Sequence, residues 1–292
     1  MTDAASSIKI GLLGRGIGAS SSPAIHETEA ARLGLALTYD LFDFDALELA
    51  DEALPNMLAQ LVERGFRGVY VTHPFKQAVI PLLDEVDSTA ASLGAVNCVS
   101  FNDGRMSGTN TDWIGFEFML DLAFPQEPRD VVAQIGSGGA GSATAFALLH
   151  SGTRELRIHD MSADRVDALA TRLRSAFPEA SIVASATPAA AIDGACGVVQ
   201  STPVGMVAHP GMPFDPELLS PGQWLADVIY FPRETELLKA AQTRGLATAG
   251  GAPMVIGQAA EGLRRFTGVE PDRDRMLAAL GAVDNQAQRG AA

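Results

Sequence analysis

Val131-Val132-Ala133-Gln134-Ile135-Gly136-Ser137-Gly138-Gly139-Ala140-Gly141 runs a short apolar stretch straight into a G-x-G-x-x-G turn, and Ser142 to His150 continues with the Ala- and Leu-rich composition of a helix. Strand, glycine turn and helix in that order open a dinucleotide-binding βαβ unit. Gly136 permits the tight turn. Gly138, with Gly139 and Ala140 beside it, lets backbone N–H groups approach a pyrophosphate, and Gly141 lets the helix lie against the strand. Asp160 stands 19 residues beyond Gly141, at the end of a second strand-like run, Leu156-Arg157-Ile158-His159. A carboxylate there accepts both ribose hydroxyls of an adenosine and repels a 2′-phosphate, so the expected cofactor is NAD rather than NADP.

A second glycine cluster, Gly14-Arg15-Gly16-Ile17-Gly18, follows the apolar run Ile8 to Leu13, and Asp40 ends the next strand-like run. It lacks the spacing of the third glycine, and a serine-rich run stands where the helix would begin. It reads as a substrate loop.

A chain of 292 residues with 47% hydrophobic content can fill two cores. The alternation of short apolar runs with helical patterns over Ile8 to Leu13, Pro23 to Leu33, Leu37 to Phe42, Leu54 to Arg64 and Gly68 to Thr72 is α/β winding. Helical spacing continues over 75–86, a strand follows from Ala95 to Phe101, and Asn102-Asp103-Gly104 reads as a hairpin turn. Strands are expected near Val131, Leu156, Ile182, Val198 and Trp224, and a long helix from Met254 to Thr267. The fold class is therefore α/β with two domains and a cleft between them. One is an α/β substrate domain, 1–112 plus 252–292, and the other a doubly wound Rossmann-type NAD-binding domain, 113–251.

Composition excludes several function classes. The net charge of −14 and the lack of a basic stripe with interleaved aromatics argue against nucleic acid as a partner. No apolar run approaches the ~18 residues of a membrane span, and no charged-then-apolar export signal opens the chain, so a soluble cytoplasmic protein is expected. Cys98 and Cys196 lie in apolar runs without C-x-x-C or Cys/His spacing and read as buried free thiols. No His/Asp/Glu cluster has metal-ligand spacing, so no metal is expected. The small polar ends, 1–7 and 285–292, are expected to fray. The expected partner is a small molecule, bound by a monomer or homodimer.

Oxidation of an alcohol by NAD needs a group that takes the hydroxyl proton and a pocket that orients the carbon. Candidates sit in three loops, each following a strand-like run: Ser20-Ser21-Ser22-Pro23, Thr72-His73-Pro74-Phe75-Lys76 and Asn110-Thr111-Asp112. Ligands gather beyond the carboxyl ends of strands in such sheets. Lys76 is the candidate base, in a loop fixed by Pro74 and shielded by Phe75, with Asp112 holding the amine. His73 is an alternative base, and His26 reads as structural.

These residues resemble the shikimate/quinate dehydrogenase family over Gly14 to about Gly281. The serine loop is similar to Ser20-Ser21-Ser22-Pro23, and the family's V-T-x-P-F-K element to Val71-Thr72-His73-Pro74-Phe75-Lys76. A-V-N stands as Ala95-Val96-Asn97 and N-T-D as Asn110-Thr111-Asp112. The resemblance implies that Lys76 and Asp112 are the catalytic pair, and that Ser20, Ser22, Thr72, Asn97 and Gln258 bond the hydroxyls and carboxylate of a cyclic acid. It also implies that Tyr230 contacts substrate or nicotinamide, and that Thr202-Pro203-Val204-Gly205-Met206 lies near the nicotinamide. NADP-using members carry N-R-T where this chain has Asp160-Met161-Ser162, so the chain most resembles the NAD-dependent quinate/shikimate branch. The activity implied is reversible oxidation of the ring 3-hydroxyl to the 3-dehydro ketone. Tyr70 replaces an asparagine of many members and is expected to narrow the substrate pocket or to supply a phenol to a different ring substituent. A related cyclitol acid such as aminoshikimate, a methylene-tetrahydrofolate dehydrogenase and a non-catalytic NAD-responsive binding protein are the competing readings.

Overall fold

The apolar run at Ile8 forms β1 (Ile8–Gly14), which pairs in parallel with β2 (Leu37–Asp43) on one side and β3 (Gly68–Val71) on the other. Helices α1 (Ser22–Arg32) and α2 (Leu54–Glu63) make the two crossovers. The computed structural model describes residues 7–290. The expectation for 1–6 and for 291–292 lies outside that range.

Beyond β3 come α3 (Phe75–Ala78), β4 (Glu85–Val86), α4 (Ser88–Leu93), β5 (Cys98–Asn102) and β6 (Arg105–Thr109), giving a six-stranded sheet in the order β2-β1-β3-β5-β6-β4. The helix expected over 75–86 stops after one turn. Pro81 explains it, since its ring would collide with the carbonyl of Gln77 in a continuing α-helix, and it sits instead in a 3-10 turn at Ile80–Leu82. Between the antiparallel β5 and β6 the turn residues Asp103 and Gly104 have φ of 50° and 76°, the paired positive values of a tight hairpin. From Ile10 onward β1 is buried and carries no polar side chain, because both faces of the sheet are covered there. Leu13 joins a core with Phe42, Phe44, Leu58 and Phe75, while the adjacent Leu12 joins Tyr39, Tyr70, Cys98, Leu263 and Phe266 on the other face.

The second half begins with α5 (Asp112–Ala123) and β7 (Val131–Ile135). It continues through α6 (Gly139–His150), β8 (Glu155–His159), α7 (Ala163–Ala176), β9 (Ser181–Ala184), α8 (Pro188–Ile192), β10 (Gly197–Gln200), β11 (Trp224–Asp227), α9 (Glu236–Thr243) and β12 (Ala247–Ala249). These strands form a six-stranded, all-parallel sheet in the order β12-β11-β10-β7-β8-β9. Counted from β7, this is the 3-2-1-4-5-6 order of a doubly wound dinucleotide fold. Trp224 anchors its core. The indole occupies the space a Cβ on Gly197 would need, 2.0 Å away, stacks on Phe124 at 4.8 Å and donates to the Pro128 carbonyl at 2.9 Å.

The chain ends in α10 (Ala252–Thr267) and α11 (Arg273–Gly290). Residues 285–290, expected to be loose, continue α11 as helix. Contacts divide the chain into Met1–Thr111 with Ala259–Ala292, and Asp112–Gln258. The division falls inside α10. The helix's first half packs so closely on α5 that a Cβ on Gly257 would lie 2.7 Å from Gly115 Cα, and its second half passes Tyr70 at Gly262.

Candidate active site

The glycine turn after β7 gives each glycine a different job. Gly136 has φ of +109°, a conformation that side chains resist. A Cβ at Gly138 or Gly139 would meet nothing within 4 Å, so the backbone at the start of α6 is open to a ligand. At Gly141 a Cβ would fall 2.5 Å from the Gly136 carbonyl oxygen, which is why helix and strand approach there. Gln134, a polar residue within an apolar strand, locks the turn from below: its amide donates to the carbonyls of Gly136 and Gly141, both at 2.8 Å, and accepts from Thr144 Oγ1 at 2.8 Å.

Asp160, just past β8, reaches back to this turn. One carboxylate oxygen accepts from Ser137 N–H at 2.8 Å and Ser137 Oγ at 2.9 Å, the other from Ser162 N–H at 2.9 Å and Arg165 at 2.8 Å. Burial alone would raise its pKa, but these four donors outweigh it and hold the group down at about 2. The neighbouring Met161 is fully exposed.

β7 and β10 flank the point where strand order reverses, and the loops beyond them are pinned by buried amides. Gln200, at the end of β10, donates to the carbonyls of Thr202 and Val204, both at 2.9 Å, and accepts from Thr202 N–H at 2.8 Å, which shapes the loop carrying Pro203 and Met206. Tyr230, beyond β11, is 42% exposed. Asp227, closing β11, is wholly buried, accepts from Ile229 N–H at 3.0 Å and Thr235 Oγ1 at 2.8 Å, and burial pushes its pKa up to about 6. In the unfolded chain the group titrates near its ordinary value of 3.8. Between these values the folded state keeps a proton that the unfolded state releases, so the group's contribution to stability is full at low pH and lost as pH rises through 6. Asp227→Asn should gain on the wild type by about 3 kcal/mol across that rise. Denaturant melts of both proteins from pH 4 to 7 measure the difference, and parallel curves would reject it.

In the other unit, Thr72, Asn97 and Thr111 gather at one end of the sheet, because β5 and β6 run antiparallel and bring their outer ends beside the carboxyl ends of β1 and β3. Backbone bonds tie the loops together: Thr72 N–H to Leu13 at 2.9 Å, Arg15 N–H to His73 at 3.1 Å, and Val96 N–H to Lys76 at 2.8 Å. Asn97 donates to Thr111 Oγ1 at 3.1 Å and accepts from Thr111 N–H at 2.7 Å, so the two are fixed as one unit. In the serine loop, Ser20 Oγ donates to Ser22 Oγ at 3.1 Å. Gln258 lies half-buried in α10, and Asp112 is buried at the start of α5.

Three expectations need correction. Phe75 does not shield an amine: its ring is buried in the core, 4.6 Å from Phe44, and anchors α3 there. Tyr70 does not narrow a pocket: it is buried on the α10 face of the sheet, where Gly262 leaves room for it. Asp40 does not close the strand after the first glycine cluster: β2 ends at Asp43, whose carboxylate accepts the N–H groups of Gly16, Ile17 and Gly18 at 3.0, 2.9 and 3.1 Å. That nest of donors could take an anion, and the protein fills it with its own.

Gln134, Gln200 and Arg165 were not singled out by sequence reasoning. A glutamine inside or ending an otherwise apolar strand just ahead of a loop is the signal that could have found the first two.

The family model described as the shikimate dehydrogenase substrate binding domain matches residues 12–99, and that of the shikimate 5'-dehydrogenase C-terminal domain matches residues 251–280. A shikimate dehydrogenase (NADP(+)) of Streptomyces avermitilis is 45% identical over 271 residues, 92% of this chain and 93% of that protein. A quinate/shikimate dehydrogenase (NAD(+)) of Corynebacterium efficiens is 43% identical over 279 residues, 93% of this chain and 97% of that one. Among solved structures, quinate dehydrogenase from Corynebacterium glutamicum in complex with NAD superposes with a TM-score of 0.89 at 40% identity, covering 94% of this chain and 99% of that one. With relatives this similar along nearly its whole length, the chain belongs to the shikimate/quinate dehydrogenase family.

Proposed function

We propose that this protein catalyses the NAD-dependent, reversible oxidation of the ring 3-hydroxyl of shikimate or quinate to the 3-dehydro ketone. The observation that carries the reading is the thread of bonds from Lys76 to the residue before Asp112. The Lys76 carbonyl accepts from Val96 N–H, Asn97 follows Val96, and Asn97 holds Thr111 by two hydrogen bonds, leaving Asp112 as the next residue. A base and its carboxylate partner carried at the two ends of so short a thread can work on one hydroxyl.

The residues fit a nicotinamide dinucleotide. Gly138 and Gly139 leave open backbone at a helix start, where a pyrophosphate is favoured, and Asp160 offers a carboxylate at the end of the second strand. Gly136, Ala140 and Gly141 shape the same turn, while Thr202, Pro203 and Met206 would border the nicotinamide. When bound, NAD supplies the hydride acceptor. Lys76 takes the hydroxyl proton and Asp112 holds the amine in place. Ser20, Ser22, Thr72, Asn97 and Gln258, with Tyr230, bond the ring carboxylate and hydroxyls, the many short polar contacts that a polyhydroxylated ring requires. The anionic Asp160 beside an apolar Met161 favours NAD over a cofactor bearing a 2′-phosphate.

Mixing the protein with NAD and quinate, shikimate or aminoshikimate, and following the absorbance of NADH, tests the reading. Turnover is expected with shikimate or quinate. No reduction of NAD or NADP by any of the three acids would refute it.

A further inference from the structure

α1 and β3 carry two buried polar groups that the reaction does not use. His26 is 1% exposed; its Nδ1 lies 2.7 Å from the Ser22 carbonyl oxygen and its Nε2 2.9 Å from the Tyr70 hydroxyl. Tyr70 in turn donates to the Ala259 carbonyl at 2.7 Å. Tyr39 packs beside them, its ring centroid 4.7 Å from that of His26. One end of this chain of bonds is Ser22, in the serine loop, and the other is Ala259, the residue after Gln258.

We propose that His26 and Tyr70 are a positioning pair that fixes Ser22 relative to the α10 backbone beside Gln258 and thereby sets the affinity for the ring acid. The proposal rests on Ser22 and Gln258 being substrate ligands. A leucine and a phenylalanine would fill the same space without any demand for partners, and burying polar groups costs stability unless every bond is made. What the polar pair adds is direction.

Proton counting shows that the links from Tyr70 to His26 and to Ala259 share a single hydrogen. The carbonyls of Ser22 and Ala259 only accept, so the proton of a neutral imidazole sits on Nδ1, facing Ser22. Burial lowers the His26 pKa to about 4, which keeps the ring neutral at physiological pH. The single hydroxyl hydrogen of Tyr70 then faces two acceptors, Nε2 of His26 and the oxygen of Ala259. α10 is shaped around Tyr70 as well, because a Cβ on Gly262 would lie 2.3 Å from the Tyr70 hydroxyl oxygen.

Steady-state kinetics and thermal midpoints of Tyr70→Phe, His26→Asn, their double variant and Ser22→Ala test the pair. Tyr70→Phe and His26→Asn should each raise KM for the ring acid about three- to tenfold, the worth of one hydrogen bond, with KM for NAD and kcat held. The double variant should be no worse than the poorer single one, because each change breaks the same link. Tyr70→Phe is close to isosteric and carries the test alone if His26→Asn does not fold. Ser22→Ala with raised KM but Tyr70→Phe with wild-type KM, or additive effects in the double variant, overturns the proposal while sparing the substrate role of Ser22. Unchanged KM in Ser22→Ala removes that role, and the proposal falls with it.

Discussion

Lys76→Ala is expected to lower kcat for oxidation of the ring hydroxyl by about two to four orders of magnitude, the usual worth of a positioned proton acceptor, and to leave NAD affinity intact. The two effects separate because they lie in different parts of the chain. Lys76 sits on α3, in the unit formed by Met1–Thr111 and Ala259–Ala292, while the glycine turn and Asp160 belong to Asp112–Gln258. The substitution also leaves the local fold alone. The bond holding this segment is made by the Lys76 carbonyl to Val96 N–H, and Phe75 anchors α3 in the core. Single-turnover rates and titration with NADH measure the two quantities independently. Near-normal turnover in the variant would reject the assigned role.

The second large effect is on cofactor choice. Asp160→Ser with Met161→Arg should raise the ratio of kcat/KM for NADP over NAD roughly ten- to a hundredfold, the scale of one or two hydrogen bonds to a charged group. Removing the carboxylate does more than end its repulsion of a 2′-phosphate. It releases Arg165, which donates to Asp160 at 2.8 Å and is itself 60% exposed, so the variant presents two guanidinium groups where the wild type presents an internally neutralised pair. Met161 is fully exposed, so the arginine enters without displacing any packing. Met161→Arg alone should move the ratio less, since Asp160 would remain to pair with it. An unchanged ratio in the double variant would mean that another group reads the adenosine.

The βαβ unit was legible because its glycines are demanded by backbone geometry that few other residues tolerate, and five of the six strands of its sheet stood out as apolar runs. β12 did not, being three residues of Ala-Thr-Ala whose strand character comes only from pairing beside β11. α11 was missed for a similar reason: its composition is polar and small, and its helix is argued by contact with α1 rather than by its own periodicity. The serine, lysine and asparagine loops could be read as candidates from residue type. That they collect at one sheet end is what their places after strand-like runs imply, but the reversal of β5 after β3, which brings Asn97 to that end, leaves no mark in the sequence. Tyr70 was misread because an alternating pattern does not say which face of a doubly covered strand meets the ligand. The first glycine cluster carries no mark in the sequence of the carboxylate that fills it, since Asp43 comes from the end of the next strand.

The salt link between α1 and α11 has a consequence for how this family can drift. Glu29 is 2% exposed on the helix that starts at Ser22, and its carboxylate is met by Arg275 at 2.6 Å and by the Asp272 N–H at 2.8 Å. A buried carboxylate cannot be abandoned by its counter-charge without cost, so mutation at either position exposes its lineage to selection until the other follows. Among related sequences, positions 29 and 275, separated by 246 residues, should therefore change together, and the C-terminal helix should be inherited as a matched piece with the helix that follows the serine loop.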